Sequence, residues 1–415
     1  MTLAVFCNLL FVVLFLNSFE QVLLLQCKDE RNQDVDWFVL YKIPKISDSN
    51  NNLIKNGAAY LYMHSNNYNN GWTLSDKDIG SKESIPAYTL APFYDKKQSK
   101  DFMWILYNDQ PPNKPSIMYN GHTKGAVMVN EHKGFWLIHS VPNFPPEPEH
   151  GVQSNRQKKE NDVNDAEASK SKVNNLPVGE YNYPSSGKVN GQSFMCISTI
   201  GNHFDTIGKQ LMYNQILVFK KNLPKDISDK YTVLTDAANE KKIKKEPYNN
   251  SVNFYSTGGM EFKSFAKSSK WARDLYDDFV APELNTDLYA ETWLNGRGRL
   301  PSECNASSVY NVQLVYLSIA KVEFKSSHDH SKWAVSNDGK NKGSWVCIGD
   351  INRADTQFER GGGTVCLNVP EVWKNYRDTV KDVEPCPKSP KNKKGIFEPI
   401  KSWFASMFTR RGKQS

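Results

Sequence analysis

Residues 122–136, HTKGAVMVNEHKGFW, are closely matched by residues 330–345, HSKWAVSNDGKNKGSW. Both stretches begin with His, then Thr or Ser, then Lys, and carry Ala-Val at the fourth and fifth positions after the His. Both end with Lys-Gly, one further residue and Trp, after a polar turn. The match indicates a duplicated chain, and it predicts an α/β body of two related halves with one site between them.

Each copy carries a His and a Lys two residues apart, and side chains at this spacing point to the same face of an extended strand. The candidate catalytic residues are therefore His122, Lys124, His330 and Lys332. One neutral imidazole can attack phosphorus and form a phosphohistidine, while the other, protonated, donates to the leaving oxygen. The lysines can neutralise the non-bridging oxygens as charge builds. The pattern predicts phosphodiester cleavage that needs no metal and no cofactor.

The near symmetry of the two copies leaves open which histidine is the nucleophile. Because one imidazole must be neutral and the other charged, and the free pKa is about 6.5, the chemistry favours mildly acidic pH. The alternative interpretation is that both copies are aromatic hairpins with incidental charges. A single His-x-Lys would favour that alternative, but a match over the whole unit does not.

The positive charge of the chain is confined to its C-terminal end. The formal charge of the 415 residues is +7, and residues 387–415 hold eight Lys or Arg and one Glu, so the rest of the chain is balanced. A polyanion would have to be bound by a local arrangement of charge rather than by a basic body. Apolar side chains at helical spacing predict a basic amphipathic tail, residues 388–415, that contacts an anionic membrane or nucleic acid. A dangling extension is the alternative.

The N-terminal stretch LAVFCNLLFVVLFLNS is apolar but too short to span a bilayer comfortably. It predicts a secretory signal peptide over residues 1–25, cleaved between Ser18 and Gln26. A membrane anchor is the alternative, because the first residues lack Lys and Arg.

Removal of Cys7 with the signal leaves six cysteines. An even number in a secreted chain predicts three disulfides, and the spacing alone leaves their pairing open. The cysteines form no Cys-x-x-Cys or Cys/His cluster that would suggest zinc. Sequons at Asn249 and Asn305 predict glycosylation on the same route.

Composition also predicts the division of the chain. Residues 147–175 have almost no large apolar side chain, which predicts a disordered polar insertion. It interrupts an N-terminal half, residues 26–146 and 176–250, and a C-terminal half follows at residues 251–387. Apolar runs predict strands at residues 34–44, 57–65, 101–112, 134–146, 191–198, 286–296 and 309–324.

Four further segments have distinctive patterns. Residues 202–215 predict a short amphipathic segment. Residues 262–284 space their aromatic residues as an amphipathic helix does, with the aromatics in the core. The lysine-rich stretch from Lys220 to Lys245 is interpreted as a connector. The run Gly361–Gly363 lacks the context of a phosphate loop and predicts a tight hairpin turn.

Eight segments between Cys27 and Cys386 together resemble the deoxyribonuclease II family, acid endonucleases of lysosomes and secretions that share the phospholipase D architecture. They are DWFVLYK from Asp36, GHTKG from Gly121, GFWLIHSVPNFPP from Gly134, GQSFMC from Gly191, FAKSSKW from Phe265, HSKW from His330, CIGDINR from Cys347 and RGGGTVC from Arg360. The resemblance implies a pseudo-dimeric phospholipase D-like fold with two related halves, each a mixed β-sheet flanked by helices. One active site would lie between the halves.

The same resemblance implies a function and further residue roles. DNA would be hydrolysed to 3′-phosphate and 5′-hydroxyl ends without a metal ion, at the two His-x-Lys motifs, in a lysosomal or secreted protein. His139, in LIHSVP, is expected to support a catalytic group or orient the substrate. The cysteine pattern of the family implies the bridges Cys27–Cys196, Cys304–Cys386 and Cys347–Cys366.

The sequence departs from the wider pattern after the two lysines, where an acidic residue often orients the histidine. The nearest candidates are Asn130 in the first copy and Asn337 and Asp338 in the second, so supporting roles are expected for these three. An amide can hold an imidazole but stabilises its charged form less well than a carboxylate. The rival function is a secreted, catalytically weak homologue that binds DNA or a host partner. Two intact His-Lys pairs favour the enzyme.

Overall fold

The computed structural model describes residues 25–116, 119–153, 177–304, 306–339 and 341–387. The expected tail, almost all of the expected signal peptide and the sequon at Asn305 lie outside the described residues. Most of the expected insertion, residues 154–176, also lies outside them. In the described ranges no helix has both the length and the apolar character needed to cross a bilayer.

The first sheet is built from nine strands of the described chain, in the spatial order β5-β4-β3-β10-β8-β7-β6-β11-β9. All pairs of neighbouring strands in this sheet are antiparallel. Its strands are β3 Trp37–Lys42, β4 Tyr60–His64, β5 Thr73–Leu74, β6 Met103–Asn108, β7 Lys124–Val129, β8 Lys133–His139, β9 Val152–Gln153, β10 Gln192–Ile200 and β11 Val218–Asn222. A separate ladder joins β1 Cys27–Lys28 to β2 Asp34–Val35.

The second sheet has the order β12-β13-β19-β18-β17-β14-β15-β16, and β20 pairs with β15. The pair β14 and β15 is parallel, and the others are antiparallel. Its strands are β12 Asn249–Tyr255, β13 Glu261–Lys267, β14 Leu288–Glu291, β15 Val309–Leu317, β16 Val322–Lys325, β17 Trp333–Ser336, β18 Trp345–Gly349, β19 Gly362–Asn368 and β20 Val380–Val383.

The helices connect and flank these strands. The α-helices of the described residues are α1 Asn52–Lys55, α2 Ile85–Tyr94, α3 Ser185–Val189, α4 Phe204–Asn214, α5 Lys225–Lys230, α6 Thr232–Ala238, α7 Ala281–Leu284 and α8 Pro370–Thr379. A π-helical turn, Tyr276–Val280, leads into α7, and 3-10 turns occur at Tyr68–Asn70, Gly201–His203, Ser269–Trp271, Ser318–Ala320, Ser326–His328 and Asp355–Gln357.

The two sheets share one central order. Strands β3, β10, β8, β7 and β6 are neighbours in the first sheet, as β13, β19, β18, β17 and β14 are in the second. Each His-x-Lys motif leads into the first strand of a hairpin, β7–β8 or β17–β18, at the centre of its sheet. The predicted fold of two related halves is confirmed. The expectation of a mixed sheet holds only in the second half, because the first sheet is antiparallel.

One continuous core joins the halves. Strand β3 is buried along its whole length, so it is covered on both faces. Aromatic pairs cross between the sheets, with ring centroids 6.0 Å apart for Trp136 and Phe254 and 6.5 Å apart for Tyr41 and Trp333. Aromatic contacts of this kind add to the free energy of simple burial. The halves are therefore packed as one body around the centres of the two sheets.

Three secondary-structure predictions are wrong. Residues 262–284 do not form one helix, because residues Glu261–Lys267 form β13 between two partner strands and Ala272 has the left-handed φ of 54°. The connector from Lys220 to Lys245 contains part of β11 and the helices α5 and α6. The run Gly361–Gly363 leads into β19 instead of forming a turn. An added Cβ at Gly361 or Gly363 would lie 2.4 Å from a backbone oxygen. These two glycines allow close packing of backbones.

The boundary of the predicted insertion is also corrected. Residues 147–153 are described, Glu147 is buried, and Val152 pairs with Lys221 at the edge of the first sheet. Backbone pairing orders this part despite its polar composition. The short amphipathic segment predicted at residues 202–215 forms α4. Within α4, Gln210 donates to the Ser264 carbonyl of the second sheet at 3.1 Å, so the helix belongs to the contact between halves.

Three disulfides are present: Cys27–Cys196, Cys304–Cys386 and Cys347–Cys366. These are the bridges that the family resemblance implies. The first ties β1 to β10, and the last joins the neighbouring strands β18 and β19. Each bridge lies within one half of the molecule.

We expect the bridge that closes the longest loop to contribute most to stability. A longer loop removes more entropy from the unfolded chain: about 5 kcal/mol for the separation of 169 residues in Cys27–Cys196, against about 3 kcal/mol for the 19 residues in Cys347–Cys366. Two variants, each with one bridge replaced by a pair of alanines, should differ in this order in urea unfolding. A larger loss for the shorter loop would contradict the prediction.

Candidate active site

The two His-x-Lys motifs occupy equivalent places. Lys124 begins β7, and Lys332 directly precedes β17. His122 is 6% exposed, both lysines are 1% exposed, and His330 is partly exposed. The motifs therefore form a largely buried cluster with access through the His330 side.

Each histidine is held by the backbone of the opposite half. The His122 N–H donates to the Gly361 carbonyl at 2.9 Å, and the His330 N–H donates to the Gly191 carbonyl at 2.9 Å. Gly361 directly precedes β19, and Gly191 directly precedes β10. Since β10 and β19 have the same place in the two sheets, the exchange is symmetric. Neither histidine completes its backbone hydrogen bond within its own half.

The imidazole side chains follow the same rule. His122 Nδ1 lies 2.8 Å from Gln357 Oε1, and His330 Nδ1 lies 3.0 Å from the Ser140 carbonyl oxygen. A carbonyl only accepts hydrogen bonds, so Nδ1 of His330 carries the proton. The amide oxygen of Gln357 assigns the same tautomer to His122. In the neutral form of each ring the lone pair is then on Nε2.

A buried ionic cluster surrounds the first motif. The Lys124 ammonium donates to Asp109, and Arg360 Nη2 donates to the second oxygen of Asp109 at 3.0 Å. His122 Nε2 lies 4.0 Å from the same carboxylate oxygen. Arg360 Nε also donates to the Asn120 carbonyl at 3.0 Å. Asp109 thus links a lysine and a histidine of the first half to an arginine of the second.

The second motif has different neighbours. The Lys332 ammonium donates to the carbonyl of its own His330 at 2.6 Å. By strand register, the position equivalent to Asp109 is Trp293, because Tyr107 pairs with Gly125 as Glu291 pairs with Trp333. The Trp293 ring is 5.3 Å from the His330 ring in an edge contact. An indole beside His330 thus replaces the carboxylate beside His122.

Burial lowers the pKa of both histidines well below its ordinary value. At His122 the charges of Lys124, Arg360 and Lys332 lower the pKa further, while Asp109 raises it. At His330 the charges of Lys332, Lys124 and His122 lower it further, and only the Ser140 carbonyl raises it. Both rings are neutral at neutral pH. The carboxylate of Asp109 thus favours the charged form of His122.

Two carboxyl groups near Lys124 have opposite shifts. Burial tends to raise the pKa of Asp109, but the charges of Lys124, His122 and Arg360 outweigh it and hold that pKa well below its usual range. Burial raises the pKa of Asp350 to about 7, although the Gly363 N–H and Lys124 lower it. Asp109 is therefore the carboxylate that stays ionised in acid.

Comparisons with known proteins identify the family of the chain. The family model described as deoxyribonuclease II matches residues 26–386. The chain belongs to the deoxyribonuclease II family. Plancitoxin-1 of Acanthaster planci is 37% identical over 364 residues, covering 87% of this chain and 92% of that protein. Deoxyribonuclease-2-alpha of Mus musculus is 36% identical, covering 87% and 94%. Cell death-related nuclease 6 of Caenorhabditis elegans is 32% identical, covering 88% and 90%. The resemblance stated from the sequence motifs is confirmed, and the protein is a deoxyribonuclease II-like nuclease.

The residues expected after the lysines do not reach the histidines of this family member. Asn130 lies beyond the far end of β7, where its side chain accepts from the His132 and Lys133 N–H groups and closes the turn. Asn337 and Asp338 follow the far end of β17, and Asp338 accepts from the Asn341 amide at 2.6 Å. The six residues of β7 span about 20 Å, and the four residues of β17 span about 13 Å. The expectation that these three residues support the histidines is therefore wrong.

His139 lies closer but is completely buried. Its Nδ1 accepts from the Val141 N–H at 3.1 Å, and its ring packs against Phe144 and Phe194. Burial and the charge of Lys124 lower its pKa well below the usual value. It has no exposed surface with which to touch a substrate in this arrangement, so its expected supporting role stays a prediction.

Sequence reasoning missed the residues that surround the histidines, and four of them show why: Asp109, Gln357, Arg360 and Gly191. Gly191 and Arg360 stand in quoted family segments, but the pattern assigned them no role. Asp109 directly follows β6, in YNDQPP, where a polar residue after a buried strand was a usable signal. The other three come from sequence more than 60 residues from the histidine or carboxylate that they contact, so spacing could not reveal them.

Within the part of the chain that the structure describes, no group of three or more His, Cys, Asp or Glu side chains is arranged to hold a metal ion. The expectation that the reaction needs no metal stays a prediction for experiment. The described sequon Asn249 is half-buried at the start of β12, on the edge of the second sheet.

We expect Asp109→Asn to lower the free energy of unfolding by about 3–5 kcal/mol, because it leaves the buried charges of Lys124 and Arg360 uncompensated. The matched control, Asp378→Asn, removes an exposed pair with Lys374 and should cost less than about 1 kcal/mol. Urea unfolding of both variants measures the difference. Equal midpoints for the two would show that the Asp109 cluster is not required for the fold.

Proposed function

We propose that this chain is an acid endodeoxyribonuclease that hydrolyses DNA phosphodiesters through a phosphohistidine, without a metal ion, to 3′-phosphate and 5′-hydroxyl ends. The observation that carries the proposal is the pair of imidazoles whose Nδ1–H groups are fixed by acceptors of the opposite half. This arrangement leaves a lone pair on each Nε2, beside two buried lysines. The names of the relatives, deoxyribonucleases among them, support DNA as the substrate.

The asymmetry of the site assigns a role to each histidine. His330 is the nucleophile, because the cations around it oppose protonation and its Nε2 is the basic nitrogen. His122 is the general acid, because Asp109 favours its charged form. His330 Nε2 attacks phosphorus, the bond from phosphorus to O5′ breaks, and the Nε2 proton of His122 moves to that oxygen. Every proton and bond is then accounted for by the two rings.

Hydrolysis of the intermediate reverses these roles. Neutral His122 takes a proton from water as the water attacks phosphorus, and the bond from phosphorus to nitrogen breaks. The products are a 3′-phosphate and the neutral His330. Lys124 and Lys332 stabilise the non-bridging oxygens, where positive charge in a dry site acts most strongly. In this scheme Asp109 and Gln357 orient His122, and the Ser140 carbonyl orients His330.

Several further assignments belong to the proposal. His139 supports the site from beneath, through its contacts with Phe144 and Phe194. The halves are residues 26–146 with 176–250, and residues 251–387. A route through the secretory pathway to lysosomes or the exterior is supported by the three disulfides.

Contact of the tail, residues 388–415, with membrane or nucleic acid is tested by deleting it and measuring liposome and DNA binding.

The deciding assay is plasmid cleavage in EDTA at about pH 5 and at neutral pH, conditions set by histidine chemistry. The enzyme should nick and linearise the plasmid at the acidic pH, and end-labelling should detect 3′-phosphates. Absence of cleavage at both values would overturn the proposal and favour a homologue that only binds DNA or another partner. Cleavage that EDTA abolishes would overturn metal independence alone.

Alanine at either motif histidine should abolish turnover, whereas His328→Ala should not, because His328 is exposed two residues before His330. Loss of a group that attacks phosphorus or donates the proton costs about 100-fold or more. Quenching with an alkaline denaturant, in which the P–N bond of phosphohistidine survives, should trap labelled DNA on the peptide that contains His330 in His122→Ala, but no adduct in His330→Ala. A label on His122 would reverse the assignment.

The rate should rise as the pH falls from neutrality. The general acid must be protonated, and the pKa of His122 in the folded protein lies well below 6.5. The protonated fraction of His122 therefore grows as the pH falls toward this lowered pKa. At lower pH, protonation of His330 removes the nucleophile and the rate falls. Because Asp109 raises the pKa of His122, Asp109→Asn should move the maximum of kcat/KM to lower pH. Initial nicking rates over a pH series measure this shift, and a maximum that moves upward would contradict the scheme.

A further inference from the structure

Two lysines outside the His-x-Lys motifs are at most 1% exposed without contributing to the chemistry described above. Lys42 ends β3 and is 0% exposed, and Lys267 ends β13 and is 1% exposed. A buried ammonium is costly unless hydrogen bonds replace its water. Here backbone carbonyls do so. Lys42 donates to the Lys188 carbonyl at 2.8 Å, and Lys267 donates to three carbonyls.

The two lysines are equivalent by strand register. Lys42 lies opposite Gln192 in the pair β3–β10, and Lys267 lies opposite Gly362 in the pair β13–β19. Gln192 and Gly362 each directly follow the glycine whose carbonyl accepts from the histidine of the other half. The carbonyls bound by the lysines also correspond, because Lys188 and Phe358 each stand three residues before that glycine. The duplication has therefore conserved the same internal contact in both halves of one chain.

Lys267 binds the segment that completes the first motif. Its ammonium donates to the carbonyls of Gln357 at 2.9 Å, Phe358 at 3.1 Å and Arg360 at 2.7 Å. An ammonium has three donors, so these acceptors match its full capacity. The same segment carries the Gln357 amide on His122, the Arg360 guanidinium on Asp109 and the Gly361 carbonyl on the His122 N–H. Movement of this segment would displace all three contacts together.

We propose that Lys267 and Lys42 are positioning residues, each of which fixes the loop of its own half that orients the catalytic histidine of the opposite half. Lys267 acts on His122 through the segment before Gly361, and Lys42 acts on His330 through the segment before Gly191. This inference rests on the proposed function for its kinetic consequences, but the positioning itself is a property of the folded chain. The segment that Lys267 binds makes three contacts with the first motif and its carboxylate. Loss of Lys267 should therefore disturb the site more than loss of Lys42.

The charge of Lys267 persists where the enzyme is expected to work. Burial lowers its pKa to about 8, although Asp274 raises it. At the acidic pH of the proposed reaction the amine is therefore protonated and keeps its three donors. The contact does not weaken over the range in which His122 titrates.

The test compares Lys267→Met and Lys42→Met with Lys221→Met in the full chain. Lys221 is the control, because its ammonium also donates to a backbone carbonyl, that of Ala238 at 2.9 Å, and its other hydrogen bond goes to the Asn239 side chain and not to either segment that orients a histidine. Hydrogen exchange followed by mass spectrometry reports the histidine amides directly. Lys267→Met should accelerate exchange at residues 121–124, Lys42→Met should do so at residues 329–332, and the control should change neither.

Kinetics give the second readout. A misplaced catalytic group lowers kcat by about 10-fold to 100-fold, so Lys267→Met should lose this much in plasmid nicking with KM changed much less. The pH at which kcat/KM of this variant is highest should also increase, because the released Arg360 no longer lowers the pKa of His122. A role in stability alone would lower the amount of folded enzyme without moving the pH profile.

The outcomes separate the two proposals. If the wild type does not cleave DNA, the proposed function fails, while the crossed exchange pattern still decides the positioning role. If the wild type is active and the Met variants exchange and cleave as the control does, the positioning role is overturned. Should Lys267→Met fail to fold, Lys267→Gln, which keeps an N–H donor of shorter reach, takes its place with Lys42→Met. Exchange that rises equally at both histidines would also overturn it.

Discussion

The hydrogen bonds that pass between the halves are the constraint on which the rest of this structure depends. Each histidine takes its backbone acceptor and its Nδ1 acceptor from the other half. These bonds fix the tautomer of each ring and leave its lone pair on Nε2. Packing makes the contact possible, since an added Cβ at Gly121 would lie 1.8 Å from the Asn214 carbonyl. The glycines around the motifs therefore bring backbones close enough for the exchange.

Symmetry of the backbone is combined with asymmetry of the side chains. The strand order, the two glycines and the two buried lysines are repeated, but Asp109 in the first half is replaced by Trp293 in the second. A reaction that needs one charged and one neutral imidazole requires such a difference. A perfectly symmetric site would divide one proton equally between its two rings. Sequence divergence after the duplication has thus given each copy a separate electrostatic environment.

Much of the fold followed from local sequence. Buried strands such as β3 and β6 are bunched aromatic and aliphatic residues, and the hairpins of the two motifs were visible as a repeat. The segment at 262–284 was misassigned because aromatic spacing there satisfied a helical period, while pairing with β12 and β19 decided the outcome. The motif histidines were found because their spacing is local. Asp109, Gln357 and Arg360 were not, because tertiary contacts across 15 to 251 residues join them to one another and to the motifs.

The disulfides join residues within one half, whereas the hydrogen bonds of the motif histidines join the two halves. Each of the six cysteines in the described residues pairs within its own half, so oxidation of either half needs nothing from across the interface. Every motif histidine, in contrast, is completed only by residues of the partner half. Disulfide formation and completion of the histidine contacts are therefore separate requirements of the fold. A half whose disulfides have formed still leaves its motif histidine without its backbone and Nδ1 acceptors until the second half has docked.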